Sequence, residues 1–307
     1  LPNPTARILR QSSQVDVAGG SETYLLGGNP DGASAAPPTT LMRLGWSSSS
    51  GWLSGDGYGE IAMYNSLPTT VAECISKRVS APITGIAAFN STSAYIASNF
   101  GVANLIPQVG LFVASVGPSV LCKDSAPGGA LIYSSGYNYL GLASGTVSGV
   151  AATSVNRAIA VGSSGGSPWI QRRTSASAWA AETPAPTPPA GWPAWGSNYT
   201  PTAVWLGAKE TWVTGIVTYS GCSYVFALHG SWPDTTVAWD KLLITKDTVA
   251  ACGSAAQSQL SVTKVWGDSA SGAVYLTGSS AVDSTGKTKL GSGTPSVGQV
   301  GVLWRIQ

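Results

Sequence analysis

Near the C-terminus the chain reads Ser271-Gly272-Ala273-Val274-Tyr275-Leu276-Thr277-Gly278-Ser279-Ser280, and near the N-terminus Ser21-Glu22-Thr23-Tyr24-Leu25-Leu26-Gly27-Gly28-Asn29-Pro30. Three more stretches fit the same pattern: Tyr95-Ile96-Ala97-Ser98, Ile159-Ala160-Val161-Gly162 and Trp212-Val213-Thr214-Gly215. Successive anchors lie 71, 64, 53 and 63 residues apart, an irregular spacing that stays near 60. Each anchor has an upstream partner, as in Ile83-Thr84-Gly85-Ile86, Val147-Ser148-Gly149-Val150, Val204-Trp205-Leu206-Gly207 and Val265-Trp266-Gly267. Each is followed by an apolar run, as in Leu41-Met42-Arg43-Leu44, Leu111-Phe112-Val113-Ala114, Tyr224-Val225-Phe226-Ala227 and Val302-Leu303-Trp304-Arg305-Ile306. Several units add a fourth run, such as Glu60-Ile61-Ala62-Met63-Tyr64 and Lys241-Leu242-Leu243-Ile244.

Short runs of β-branched and aromatic residues bounded by Gly, Ser, Asn and Pro read as strands. Four antiparallel strands recurring as a unit are the pattern of a propeller blade. The fifth unit ends after its third strand, and Ala6-Arg7-Ile8-Leu9-Arg10 offers a spare one. Closure would remove the unpaired edge groups of an open sheet. The chain resembles secreted β-propeller repeat proteins whose blades carry a Tyr-Leu-x-Gly strand. The resemblance covers nearly the whole chain, concerns the fold, and carries no activity with it. The expectation is a single all-β domain over residues 1–307, a five-bladed β-propeller of four-stranded antiparallel blades, its ring closed by the N-terminal strand. A pair of β-sandwiches with the same strand grammar is the alternative.

Composition narrows the function classes. The chain has 307 residues, with 38 Gly, 12 Trp and 11 Tyr. Charged residues make up 10%, against about 25% in ordinary domains. Disordered chains are rich in charge and poor in aromatics, so this one folds. The formal net charge of +2 comes without a basic run, which argues against a nucleic-acid partner. No apolar run reaches the roughly 18–20 residues of a membrane-spanning helix. The start at Leu1, without Met, suits a mature chain whose signal peptide has been removed.

Cys74, Cys122, Cys222 and Cys252 form no C-x-x-C pair, and the only histidine is His229, so a zinc site is not expected. Two disulfides in an oxidising compartment fit better. The pairs nearest in sequence, Cys74–Cys122 and Cys222–Cys252, are favoured among three pairings. Sequons at Asn90 and Asn198 agree with a eukaryotic secretory route. The segment from Thr183 to Pro193 cannot pair inside a sheet, because proline lacks the donor. It reads as an extended surface loop. Its alternation of Thr-Pro and Ala-Pro resembles the hydroxyproline-glycosylated segments of algal and plant wall glycoproteins, which makes Pro184, Pro186, Pro188 and Pro189 modification candidates.

No motif for chemistry survives its context. Gly162-Ser163-Ser164-Gly165-Gly166 matches G-x-S-x-G, but a nucleophile elbow joins a strand to a helix and this stretch joins two strands. Gly286-Lys287-Thr288 lacks the first glycine of a P-loop and reads as a hairpin tip. A glycosidase needs two convergent carboxylates. Asp16 and Asp268 are the inner-strand candidates, and both are better read as satisfying turn and backbone donors. No catalytic residue, cofactor or metal is therefore assigned.

Trp46, Trp52, Trp192, Trp195 and Trp232 sit in predicted loops, where aromatic rings either stack on sugars and partners or pack between units. Trp205, Trp212, Trp266 and Trp304 lie in strands and read as packing. A surface so poor in charge needs glycans or partners to cover it. The expected function is a secreted, glycosylated, non-enzymatic structural or adhesive subunit of an extracellular assembly, with itself, other extracellular proteins and glycans as partners. A carbohydrate-binding lectin is the alternative and a glycoside hydrolase the third reading.

Overall fold

A computed structural model describes residues 8–17, 20–28, 39–47, 51–61, 63–64, 78–79, 83–90, 93–100, 108–115, 137–142, 146–154, 156–175, 178–233, 235–245, 250–268, 273–290 and 297–306. They fall into two compact units, one ending at Arg157 with the addition of Ser175 and Ala178, the other made of Ala158–Thr174 and the residues from Trp179 onward.

The first unit opens with a four-stranded antiparallel sheet in chain order, β1 (Ile8–Val17), β2 (Gly20–Gly28), β3 (Thr39–Ser47) and β4 (Gly51–Ile61). Strands β5 (Met63–Tyr64) and β6 (Arg78–Val79) form a short ladder. A second sheet follows the chain through β7 (Ile83–Asn90), β8 (Ser93–Phe100), β9 (Gln108–Ser115) and β10 (Tyr137–Leu142). Strand β11 (Thr146–Ser154) ends the unit.

In the second unit, β13 (Ser167–Ser175) lies between β12 (Arg157–Ser164) and β14 (Ala178–Ala181). The central sheet is built on β15 (Tyr199–Leu206), β16 (Glu210–Tyr219) and β17 (Cys222–Ser231). Strand β18 (Ala238–Ile244) pairs with one stretch of β17 and β19 (Ala250–Cys252) with another. After the one-turn helix α1 (Ser254–Gln257), β20 (Ser261–Asp268) and β21 (Ala273–Val282) form the last hairpin. Strand β22 (Lys289–Leu290) returns to pair with β19, and β23 (Gly298–Ile306) completes a three-stranded sheet, β20-β21-β23.

The repeated Tyr-Leu-x-Gly strand has a physical reason in the register. Gly27 faces Leu9, Ser98 faces Ile83, Gly215 faces Pro201 and Gly278 faces Val262. Immediately after each of these partners the ladder shifts by a bulge. A bulge sets two residues against one and pushes backbone toward the opposite strand. A Cβ on Gly215 would run into the Thr200 carbonyl oxygen, and one on Gly278 into the Ser261 carbonyl oxygen. The motif glycine thus marks a close backbone approach.

The core of the second unit lies between the central sheet and the last one. Trp212, Val225 and Ala227 of the former pack in one cluster with Val265, Val274, Leu276 and Trp304 of the latter. Burying side chains of this size contributes about 1.5–3 kcal/mol each. Cys222 faces Cys252 in the ladder and is disulfide-bonded to it. The bridge spans 30 residues, and a loop of that length constrains the unfolded chain by about 3–4 kcal/mol.

The expected five-bladed ring is not formed. The sheets are separate, with four strands in β1–β4, five along the path β15-β16-β17-β19-β22 and three in β20-β21-β23, and none closes on itself. The N-terminal stretch is not a spare strand for the last sheet, because Ile8–Val17 is one continuous strand paired with β2. The spare strand expected from the sequence stops at Arg10, before Gln11-Ser12-Ser13-Gln14. Backbone bonds hold these polar residues in the ladder as far as Asp16 and Val17, so polarity alone did not end the strand.

Candidate functional site

The register builds the same cross-strand row in successive sheets. In the last sheet it is Trp266, Tyr275 and Arg305, each directly opposite the next. In the central sheet the matching row is Trp205, Trp212 and His229. In β12–β13 the anchor Ile159 faces Arg172, and in β2–β3 Tyr24 faces Arg43. A cationic or ionisable residue on the third strand therefore recurs opposite the anchor, except in β9, where Tyr95 faces Val113.

The rows of the second unit differ in what surrounds them. Arg172 is closed in: its Nε donates to Glu182 Oε1 at 2.7 Å, its Nη1 donates to the Thr235 carbonyl at 2.6 Å, and its guanidinium lies 5.8 Å from the Trp232 ring centre. Trp239 Nε1 donates to the second oxygen of the same carboxylate. His229 is also enclosed, with Nδ1 2.5 Å from Asp240 Oδ1, Nε2 3.2 Å from Glu210 Oε2, and its ring 4.7 Å from that of Trp212. A carboxylate at each ring nitrogen leaves neither one directed at a hydroxyl nucleophile, so the geometry orients His229 as a cross-link between strands.

The last row is open. Trp266 is 56% exposed, whereas Trp212 is 5% exposed. The Trp266 and Tyr275 rings lie 5.2 Å apart at an interplanar angle of 27°, and Arg305 stands 6.0 Å from the Tyr275 ring centre. Beside them Leu303 is 67% exposed, and Thr277, opposite it, is exposed too. Lys264, also opposite Thr277, has its amine pushed below the ordinary lysine range by burial. The result is a flat aromatic and aliphatic surface with a guanidinium at its edge, suited to contact with another flat face and to cation–π or hydrogen-bonded recognition.

Among the tryptophans of predicted loops, whose role the sequence leaves open between contact and packing, Trp192, Trp195 and Trp232 have packed rings. Trp232 is buried. Trp192 meets Tyr219 and Tyr224 with ring centres at 5.7 and 4.7 Å, and Trp195 stacks on Tyr199 at 5.0 Å and abuts Phe226. The Tyr199 hydroxyl donates to the Pro193 carbonyl at 2.7 Å, and burial pushes its phenol up to about 12. Trp46 and Trp52 are not in loops but face each other across β3–β4.

In the proline-rich segment Pro184 and Pro186 are buried, Pro188 and Pro189 half-buried, and the intervening Thr183, Ala185 and Thr187 exposed. Asn198 is exposed, and Asn90 ends β7. Cys74 and Cys122 lie outside the described residues.

The motifs set aside for chemistry fall on turns and strand ends. Gly165 and Gly166, with φ of 57° and 78°, make the two-residue turn of the β12–β13 hairpin, which accounts for the G-x-S-x-G match. Asp283 Oδ1 accepts from the Thr285 hydroxyl at 2.7 Å and from the Lys287 and Thr285 amides at 3.0 and 2.7 Å, which holds its carboxyl below the usual range and folds the turn at Gly286. Asp16 faces Ser21 in β2, and Asp268 faces Ala273 in β21.

The open row was missed in the sequence, where Trp266 was grouped with Trp205, Trp212 and Trp304 as packing. Arg305 was visible as the residue opposite the anchor, once Arg43 and Arg172 are aligned with it. No protein-family model matches the chain, and no curated protein is similar to it. No helix among the described residues is long and apolar enough to cross a membrane.

Proposed function

We propose that the chain is a secreted, non-enzymatic structural or adhesive subunit of an extracellular assembly. The observation that carries this reading is the open row Trp266–Tyr275–Arg305 with Leu303 beside it, in a chain with only 10% charged residues. Large exposed apolar groups gathered on one sheet face mark contact surfaces. The Cys222–Cys252 disulfide supports an oxidising compartment, and the exposed Asn198 supports glycosylation at its sequon.

The test is co-sedimentation of the purified full chain, alone and with insoluble cellulose, chitin and pectin. A structural or adhesive subunit pellets in at least one condition. A chain that stays in the supernatant as a monomer in all of them contradicts the proposal. The carbohydrate-binding reading has one observation in its favour, the near-parallel exposed rings of Trp266 and Tyr275, which offer a stacking platform for a sugar. It predicts pelleting with a polysaccharide and none without.

A further inference from the structure

Pairing of the third strand of the β12–β13–β14 sheet ends at Glu182, whose amide donates to the Ile170 carbonyl at 2.9 Å. The prolines that follow have no N–H to continue it. From there the chain runs Thr183-Pro184-Ala185-Pro186-Thr187, ahead of a turn that the Trp192 amide closes on the Pro189 carbonyl at 3.0 Å. Burial alternates along this stretch: Pro184 and Pro186 are buried, and Thr183, Ala185 and Thr187 are exposed. A period of two belongs to extended backbone, whose successive side chains point to opposite sides. The two proline rings therefore anchor the segment inward, and the two threonines share a row that faces solvent. At strand rise they stand about 13 Å apart. The outward position between them is Ala185, whose methyl group leaves room for a bulky group on either neighbour. Exposed threonines elsewhere in the unit are committed to ladders and turns. Thr218 pairs with the Ser223 hydroxyl, Thr263 donates to the Thr277 carbonyl, and Thr285 donates to Asp283.

We propose that Thr183 and Thr187 are O-glycosylation sites. This rests on the reading of the chain as secreted, and it moves the modification from the prolines to the threonine hydroxyls between them. The co-reactant is a nucleotide-activated sugar carried by a transferase. A bond forms between threonine Oγ1 and the anomeric carbon as the bond from that carbon to the diphosphate breaks. The nucleoside diphosphate leaves, the hydroxyl proton is released to solvent, and nothing is oxidised or reduced. A transferase acting on the folded chain needs an acceptor hydroxyl in solvent, on extended backbone outside any ladder. Proline fixes φ and holds the acceptor ready, which lowers the ordering cost of docking it. Thr-Pro alternation is also the composition of O-glycosylated stalks. The buried rings of Pro184 and Pro186 are closed to such an enzyme.

The experiment is glycan site mapping by mass spectrometry on the full chain made by its source cells. Trypsin releases residues 174–209 as one peptide, because no Lys or Arg lies between Arg173 and Lys209. That peptide also carries Asn198 and the prolines Pro184, Pro186, Pro188 and Pro189. Electron-transfer fragmentation assigns each added sugar mass to a residue. Sugar is expected at Thr183 and Thr187 and at none of the four prolines. Thr183→Val and Thr187→Val, made in the same cells and shown to be folded by circular dichroism, should each lose one of the two glycans. Thr187→Ser should keep its glycan. Bare threonines beside a glycosylated Asn198 overturn the inference and leave the secreted reading standing. Bare threonines beside a glycosylated proline do the same. A peptide without sugar at any residue, from a chain found only inside the cells, overturns both.

Discussion

The rows Trp205–Trp212–His229 and Trp266–Tyr275–Arg305 occupy the same register in adjacent sheets of one unit, yet one is enclosed and the other open. Their backbones are alike down to the bulge opposite Gly215 and Gly278. What differs is the neighbour. The central row has β20 against its aromatic pair and carboxylates at its histidine. The last row has solvent. An identical scaffold position becomes core or contact surface according to what lies above it.

The largest test of that contrast is a pair of truncations. Trp212→Ala opens a cavity in the shared core and should cost about 3–5 kcal/mol in a denaturant titration. Trp266→Ala should change monomer stability by no more than about 0.5 kcal/mol. Equal losses at the two sites would erase the distinction between the rows.

The bulge comes next. Gly215→Val and Gly278→Val should each cost about 3 kcal/mol by forcing backbone apart. The two losses should be similar, because close approach to a carbonyl is common to both sheets. A neutral Gly278→Val would show that the last hairpin does not share the register of the central one.

The end of each row gives a smaller difference. His229→Ala removes the donor between Glu210 and Asp240 and should cost about 1–2 kcal/mol, scaled down because Asp240 is half exposed. Arg305→Ala should cost less than about 0.5 kcal/mol. Matching melting-temperature shifts for the two variants would contradict the enclosed histidine.

The weakest effect is on the far side of the enclosed sheet, at Tyr199. Its phenol titrates at about 12, above the ordinary value of about 10. The folded state favours the neutral form, so the stability contributed by this group is complete below about pH 10 and is lost as pH climbs toward 12. A phenolate absorbance titration should show a late component that is lost in Tyr199→Phe. Titration of every tyrosine near pH 10 would show that the Trp195–Tyr199–Phe226 cluster is open to water.

The strands were legible in the sequence because they rest on local strand grammar, and Tyr275-Leu276-Thr277-Gly278 kept both its strand and its glycine. That the sheets stay separate, with no ring closed by the N-terminal strand, was not legible. Whether the N-terminal run pairs with the last sheet or with β2 is a long-range choice that five residues cannot express. The polar run Gln11–Gln14 made the wrong choice look natural. The candidate site failed for a related reason. A tryptophan in a strand has the same local context whether covered or bare, so Trp212 and Trp266 look alike until the neighbouring sheet is placed. The glycines and prolines around Trp192 and Trp195 left contact and packing equally open, and their rings join an aromatic cluster.

Hydroxyl-radical footprinting of the full chain, read by mass spectrometry at Trp212 and Trp266 across a concentration series, tests the contrast most directly. Trp212 should be protected at every concentration. Trp266 should be oxidised readily under the same conditions. Trp266 protected to the same degree as Trp212 would contradict the account.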